Sequence, residues 1–208
     1  MAYFPLFFDL SGQTVLVVGG GPVAFRKARV LLDFGPRLLV CAPSVLPELE
    51  ALPGVERLPV PFSPELLNGV SLAIAATDCR EVNHTVAQLC HARAIPVDVA
   101  DSRAESSFLF PAVVRRGRLS VGISTGGASP AVCAYVRQTL DDTLSPALES
   151  ILDWLEEVRE IYKARLPAQE RSAFFARLFR AALDAGRPLS PVETDALLSQ
   201  NTPEEELL

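Results

Sequence analysis

Residues 14–35, TVLVVGGGPVAFRKARVLLDFG, leave little freedom about what this chain can fold into. Four apolar β-formers, Val15 to Val18, run into three glycines and then into a helical pattern. That is a buried strand, a tight turn and a helix N-terminus in one short piece. The spacing Gly19-x-Gly21-x-x-Ala24 fits the dinucleotide fingerprint. Gly19 allows a sharp exit from the strand, Gly21 lets the backbone approach a pyrophosphate, and Ala24 is small enough for close helix–strand packing. The helix N-terminus offers N–H groups and a positive dipole end to phosphates. A glycine turn that binds nothing has the same letters; the strand before it and the helix after it favour the dinucleotide.

The rhythm continues. Gly35-Pro36 stops the first helix, and Arg37 to Ala42 reads as a second strand ending at Pro43-Ser44. No acid stands at its end for a ribose hydroxyl, and no arginine follows for a ribose phosphate, so the fingerprint leaves NAD and NADP open. Pro47 to Leu52 suits a short helix and Val55 to Val60 an edge strand with prolines. Another short helix starts at Ser63-Pro64-Glu65. Ser71 to Ala76 is apolar enough for burial on both faces, Arg80 to Arg93 has helical spacing, and Ile95 to Ala100 is a fifth strand. Alternation with short links argues an open, mostly parallel sheet.

Beyond residue 107 the pattern changes. Phe108 to Val114 and Arg118 to Ser124 look like strands joined by a turn at Arg115-Arg116-Gly117. A small polar loop, Ser124 to Ser129, leads to a helix from Pro130 to about Leu144, with Ser129 as N-cap. From Ser145 onward everything is helical, with Pro146, Pro167 and Pro191 opening helices and Gly186 closing one. Ile151, Leu152, Leu155, Val158 and Tyr162 mark one buried face, and Phe174, Phe175, Leu178, Phe179 and Leu183 another. The acidic tail TPEEELL reads as frayed. The expected fold class is therefore α/β: a Rossmann-like sheet domain (1–112), a small α+β middle segment (113–144) and a helical domain (145–208).

Ligands of doubly wound sheets sit outside the carboxyl ends of the strands. That places Thr77, Asp78 and Asp101 near a bound dinucleotide, with Asp78 equally suited to cap the next helix. At such a place Asp101 can be partly buried and serve as a base in hydride chemistry. Asp98 alternates to another face. The loop Ser124, Thr125, Gly126, Gly127 to Ser129 can bind an anion through backbone N–H groups. Arg115, Arg116, Arg118 and Arg137 flank it, and their forks suit carboxylates. A solvated face is the ordinary reading of such charges, yet their concentration suggests a polycarboxylate ligand.

A net charge of −6 argues against general nucleic-acid binding. No apolar run approaches the roughly 20 residues of a membrane span. The opening MAYFPLFFDL lacks a basic n-region and a cleavage site, so its aromatics are expected to pack on the domain or cover a sheet edge. Four scattered cysteines suggest thiols in a reducing cytoplasm, and His84 and His91 a partly exposed helical face, with no metal site.

Several pieces together resemble the siroheme-synthase N-terminal modules, which are precorrin-2 dehydrogenases, some of them also sirohydrochlorin ferrochelatases. They are PLFFDL, VLVVGGGPVAFRKARVLL, AATD followed by Val82-Asn83, and VDVADSRAESSFLFPAVVRRGRLSVGISTGGASP. The resemblance covers roughly the first 140 residues well and the helical end loosely. It implies NAD bound by Gly19, Gly20, Gly21, Pro22 and Val23, with Pro43-Ser44 and Ala76, Thr77 and Asp78 along its path. It implies oxidation of precorrin-2 to sirohydrochlorin, with Asp101 as the proposed catalytic residue for this reaction and for ferrochelation, and a homodimer to whose interface the middle segment contributes. Asp98 stands where the family usually has asparagine, and Ser102 where an acid is frequent. The sequence holds no methyltransferase domain, so precorrin-2 would come from a separate enzyme. A different class of function, a non-enzymatic module sensing NAD(H), needs neither Asp101 nor the STGG loop.

Overall fold

The computed structural model describes residues 3–199. They form two compact units. The first comprises the chain up to Pro111 together with Ser124–Pro130, and the second comprises Ala112–Ile123 and the chain from Ala131 onward. The segment 113–144 is thus shared: its polar loop goes with the first unit, its hairpin and helix with the second.

The first unit is a five-stranded sheet of β1 (Thr14–Val18), β2 (Arg37–Cys41), β3 (Val55–Leu58), β4 (Leu72–Ala75) and β5 (Val97–Val99) in the order β3-β2-β1-β4-β5. Every pairing is parallel, with Val15 opposite both Leu38 and Leu72. Side chains alternate across a strand, so β1 feeds two cores. Val15 and Val17 join Ala24, Ala28 and Leu31 of α1 (Pro22–Leu32) on one face. Leu16 and Val18 join Val86, Ala87 and Cys90 of α3 (Arg80–Ala92) on the other. A strand buried on both faces reads as an unbroken apolar run, which is how β1 and β4 are written. The helix α2 (Pro47–Glu50) and a 3₁₀ turn, Pro64–Leu67, fill the crossovers.

β5 is shorter than the run Ile95 to Ala100 suggests, and it lies at the sheet edge. Two serines of the following loop satisfy its outer donors: Val97 N–H donates to Ser107 Oγ at 2.7 Å and Val99 N–H to Ser106 Oγ at 2.9 Å. An edge closed by hydroxyls offers no ladder to a further strand. The stretch Phe108 to Pro111, expected as strand, instead crosses the first core, where Phe108 and Phe110 pack. Phe110 N–H donates to the side chain of Asp98, so its backbone is satisfied without a ladder. Asp98 is buried and paired with Lys27 of α1 at 2.5 Å, with the ammonium also over the Phe110 ring. Of the N-terminal aromatics, Tyr3 lies against Arg103 as expected, but Phe4, Phe7 and Phe8 are exposed, as is Leu6, and Leu10 is the first buried side chain.

In the second unit β6 (Ala112–Arg116) and β7 (Leu119–Ile123) form an antiparallel hairpin with Arg116 opposite Leu119. The turn is therefore Gly117-Arg118, one step beyond the expected Arg115-Arg116-Gly117. A two-residue turn with glycine first needs positive φ there, and Gly117 has φ +54°. Four helices follow: α4 (Pro130–Thr143), α5 (Leu148–Lys163), α6 (Ala168–Ala185) and α7 (Pro191–Leu198). Ile151, Val158 and Tyr162 of α5 pack against Phe174, Leu178 and Ala182 of α6. Phe179 and Leu183, expected inside, face solvent, because the inward face of α6 is centred on Phe174, Leu178 and Ala182, with Phe175 and Ala181 at its margin. Gly186 ends α6 in the left-handed conformation. α7 begins with a capping box between Ser190 and Glu193. The tail TPEEELL lies outside the described residues, among which no helix is long and apolar enough to cross a membrane.

Two outcomes follow from these contacts. Lys27→Met strands a buried Asp98 carboxylate and should cost about 3 kcal/mol in urea unfolding, whereas adding Asp98→Asn should restore much of it. Glu193 is held down to about 2 by its bond to Arg187 and by the Ser190 cap. Its folded value lies below its ordinary one, so its contribution is complete above about pH 4.5 and fades as the pH falls toward about 2. Glu193→Gln should flatten the stability–pH curve across that window.

Candidate functional site

The site starts from three backbones that pass very close together. Gly19 leaves β1 with φ +132°. A Cβ there would lie 2.2 Å from the carbonyl oxygen of Ala76, at the end of β4. A Cβ on Gly20 would lie 2.1 Å from the carbonyl oxygen of Ser44, beyond β2. Hydrogen bonds fix the same geometry, from Gly19 N–H to Cys41 O and from Leu46 N–H to Gly20 O, both at 2.9 Å. The middle glycine is therefore a packing requirement that the GxGxxA spacing does not specify.

Gly21 is different. It is the N-cap of α1, with φ −89°, and a Cβ there would meet nothing within 4 Å. Pro22 occupies the first helical position and brings no N–H, while Phe25 N–H is the donor that closes the first turn onto Gly21 O. The N–H groups of Val23 and Ala24 precede that bond, so they and the positive helix end face outward. Ala24 is fully buried against the sheet. Open space in front of a glycine N-cap is what a pyrophosphate requires, so these residues fit a dinucleotide. Pro43 and Ser44, both exposed, flank the turn on the β2 side. Ala76, Thr77 and Asp78 flank it on the β4 side, Ala76 buried and Asp78 exposed. Asp78 does not cap α3, whose N-cap is Cys79 with no side-chain cap bond. The turn there is held by Thr77, whose Oγ1 accepts from Cys79 N–H at 3.2 Å.

Asp101 lies two residues past the end of β5, in a turn on the same carboxyl side of the sheet, and its side chain is exposed rather than partly buried. One carboxylate oxygen accepts from Asn83 Nδ2 at 3.1 Å. The segment carrying it is docked onto α3 by both histidines. His84 Nδ1 lies 2.5 Å from Glu105 Oε1, a bond that holds the Glu105 carboxyl below its ordinary range. His91 Nε2 lies 2.9 Å from the backbone oxygen of Glu105. Their spacing of seven, two helical turns, lets both reach one loop, and it was the available signal that they act together.

The polar loop after β7 belongs to the same unit. It folds on itself: Ser129 N–H donates to Thr125 Oγ1 at 3.1 Å, Gly126 N–H to Ser124 Oγ at 3.1 Å, and Gly126 and Gly127 have φ +62° and +82°. Gly127 packs against Arg103, two residues from Asp101, and Arg103 Nε donates to Tyr3 Oη at 3.0 Å. The loop and the Asp101 segment are therefore neighbours.

The arginines lie in the second unit and are engaged there. Arg116 and Arg137 both pair with Asp141, at 3.1 and 3.6 Å. Arg115 Nε donates to Gly117 O at 2.9 Å, and Arg118 pairs with Asp153 at 3.0 Å and with Glu156. Among the described residues no group of three or more His, Cys, Asp or Glu side chains could hold a metal ion.

Residues 6–112 match a family described as putative NAD(P)-binding. A siroheme synthase of Stutzerimonas stutzeri is 37% identical over all of this chain and 44% of its own length. Siroheme synthase 3 of Aeromonas hydrophila is 41% identical over 87% of this chain and 40% of its own. The chain thus spans less than half the length of these curated relatives. Among solved structures, SirC, a precorrin-2 dehydrogenase, superposes with a TM-score of 0.69 at 28% identity, covering 95% of this chain and 98% of that one.

The glycines differ in what substitution does. Gly21→Ala should leave thermal stability near wild type and weaken dinucleotide binding about tenfold by calorimetry, whereas Gly19→Ala should fail to give a stable fold.

Proposed function

The chain belongs to the putative NAD(P)-binding family and is kin to the siroheme synthases, and on that premise we propose that it oxidises precorrin-2 to sirohydrochlorin with NAD. The observation that supports this reading best is a continuous set of contacts. It runs from Gly19 against Ala76, through Thr77, to Asn83 and Asp101. A nucleotide cradle and a carboxylate thereby share one sheet edge.

In the proposed mechanism Gly19, Gly20, Gly21, Pro22 and Val23 hold the pyrophosphate, with Pro43 and Ser44 on one side and Ala76, Thr77 and Asp78 on the other. NAD, when bound, supplies the hydride acceptor. Precorrin-2 gives up a hydride and a proton, and Asp101, open to solvent and ligand, takes the proton. Ser124, Thr125, Gly126 and Ser129 supply polar contacts for the macrocycle's carboxylates. Arg115, Arg116 and Arg137 are assigned the same task. Arg116 and Arg137 share Asp141, so a substrate carboxylate meets a guanidinium pair whose position is already fixed. Insertion of Fe²⁺ into sirohydrochlorin would use the same carboxylate to take pyrrole protons, and the rate of Co²⁺ insertion above background measures it.

We assign the active form as a homodimer in the cytoplasm. In support, α4 buries none of its residues within the chain and leaves Tyr135 exposed. The described cysteines form no disulfide.

Protein mixed with NAD and precorrin-2 should give the absorbance change to sirohydrochlorin. A folded, NAD-binding protein that gives none is the NAD(H)-sensing module instead. Asp101→Ala should fold, bind NAD as wild type and lose oxidation by about 10²–10⁴-fold, the usual worth of a positioned base. Retained turnover would remove the carboxylate from the mechanism.

A further inference from the structure

We propose that Asn83 is the positioning residue of this site: one buried amide fixes both the cofactor-side turn at Thr77 and the carboxylate of Asp101. The inference rests on the function proposed above. Asn83 is 1% exposed, and Asn83, Asp98 and Thr194 are the buried polar or charged residues among those described. Asp98 is neutralised by Lys27 and Thr194 bonds within its own helix end. Asn83 instead spends its bonding capacity on residues of two different strand ends. Its Oδ1 accepts from Thr77 N–H at 3.1 Å and lies 2.7 Å from Thr77 Oγ1. Its Nδ2 donates to Thr77 O at 3.1 Å and to Asp101 Oδ1 at 3.1 Å.

The orientation of the amide follows from chemistry. A backbone N–H can only donate and a backbone carbonyl can only accept, so Thr77 fixes which end of Asn83 is oxygen and which is nitrogen. The nitrogen, and therefore a donor, is left facing Asp101. A carboxylate oxygen that receives such a bond is held in one place. The other Asp101 oxygen makes no described bond to Asn83 and stays available to the substrate. Thr77 follows Ala76, whose oxygen touches Gly19. Asn83 therefore sets Asp101 relative to the Thr77 turn, and the backbone of Ala76 sets that turn against Gly19.

The two halves of the amide can be separated by substitution. Asn83→Asp keeps an acceptor for Thr77 N–H but turns an oxygen toward Asp101 and the Thr77 carbonyl, whereas Asn83→Ala removes every bond. Steady-state rates with NAD and precorrin-2, and NAD binding by calorimetry, should be measured for both variants, for Asp101→Ala and for the double variant Asn83→Ala/Asp101→Ala. Asn83→Asp is expected to bind NAD within about threefold of wild type while kcat falls at least tenfold, and to melt as a cooperative fold. At saturating NAD, adding Asn83→Ala to Asp101→Ala should cost no further kcat, because the bond to the carboxylate is already gone and the loss at Thr77 falls on NAD affinity. A full extra loss in the Asp101→Ala background, or Asn83→Asp turning over as wild type, would overturn the assignment while leaving the dehydrogenase reading intact. If Asp101→Ala itself turns over normally, the carboxylate's role and this inference fall together. Should Asn83→Ala not fold, Asn83→Asp alone decides through its split between NAD affinity and kcat.

Discussion

The first unit depends on how closely its backbones approach at the carboxyl ends of β1, β2 and β4. No side chain fits at Gly19 or Gly20, because the carbonyl oxygens of Ala76 and Ser44 already occupy the space. This is the reason for glycine at two successive positions, and it is a different reason from the one at Gly21. The first two glycines draw the crossovers of β2 and β4 together, and the third faces open space. Binding capacity here is a by-product of packing: once the strand ends converge, the N–H groups at the start of α1 have nowhere to point but outward.

That convergence has a second consequence further along the sheet. β4 ends against Gly19, so the turn at Thr77 has little freedom, and a side chain that reads Thr77 reads the position of the whole edge. Asn83 does this from the first turns of α3, and the histidines at 84 and 91 hold the next loop from the same helix. One helix therefore sets both the exit of β4 and the loop after β5. A lone, short edge strand would be a weak support for Asp101. Here β5 is only Val97–Val99, and the serine hydroxyls of residues 106 and 107 complete its outer edge.

Much of the architecture is legible in the sequence because burial on both faces of a parallel sheet writes strands as apolar runs. β1 and β4 and the boundaries of α1 and α3 fall close to where periodicity puts them. Phe108 to Pro111 shows the limit of that rule. It is as apolar as a strand, but its backbone bonds to the Asp98 carboxylate, and only three-dimensional proximity reveals that partner. The hairpin turn slips by one residue for a local reason: Gly117 supplies the positive φ, so both arginines before it stay in β6. The placement of Asp101 at a strand end was readable; its exposure was not, since exposure depends on the loop that follows. Asn83 sits in the quoted family pattern, yet nothing in its spacing tells a buried bridge from an ordinary helical asparagine.

The arginines pose the sharper question, because charge alone makes them look like a receptor for carboxylates. In an acidic chain a basic group has many competitors for its attention, and Arg116, Arg118 and Arg137 each find an acid within their own unit. Such pairs contribute little to stability when exposed. Their effect is geometric, since a guanidinium already held by Asp141 loses less freedom on meeting a second carboxylate than one swinging in water. Pairing and recognition are therefore compatible at Asp141, where two guanidinium groups share one acid and an excess of positive charge remains. At Arg118 the balance reverses: one guanidinium faces both Asp153 and Glu156, and the local excess is negative. Of the arginines that flank the STGG loop in sequence, the pair on Asp141 thus has the electrostatics that an acidic substrate needs, and Arg118 does not.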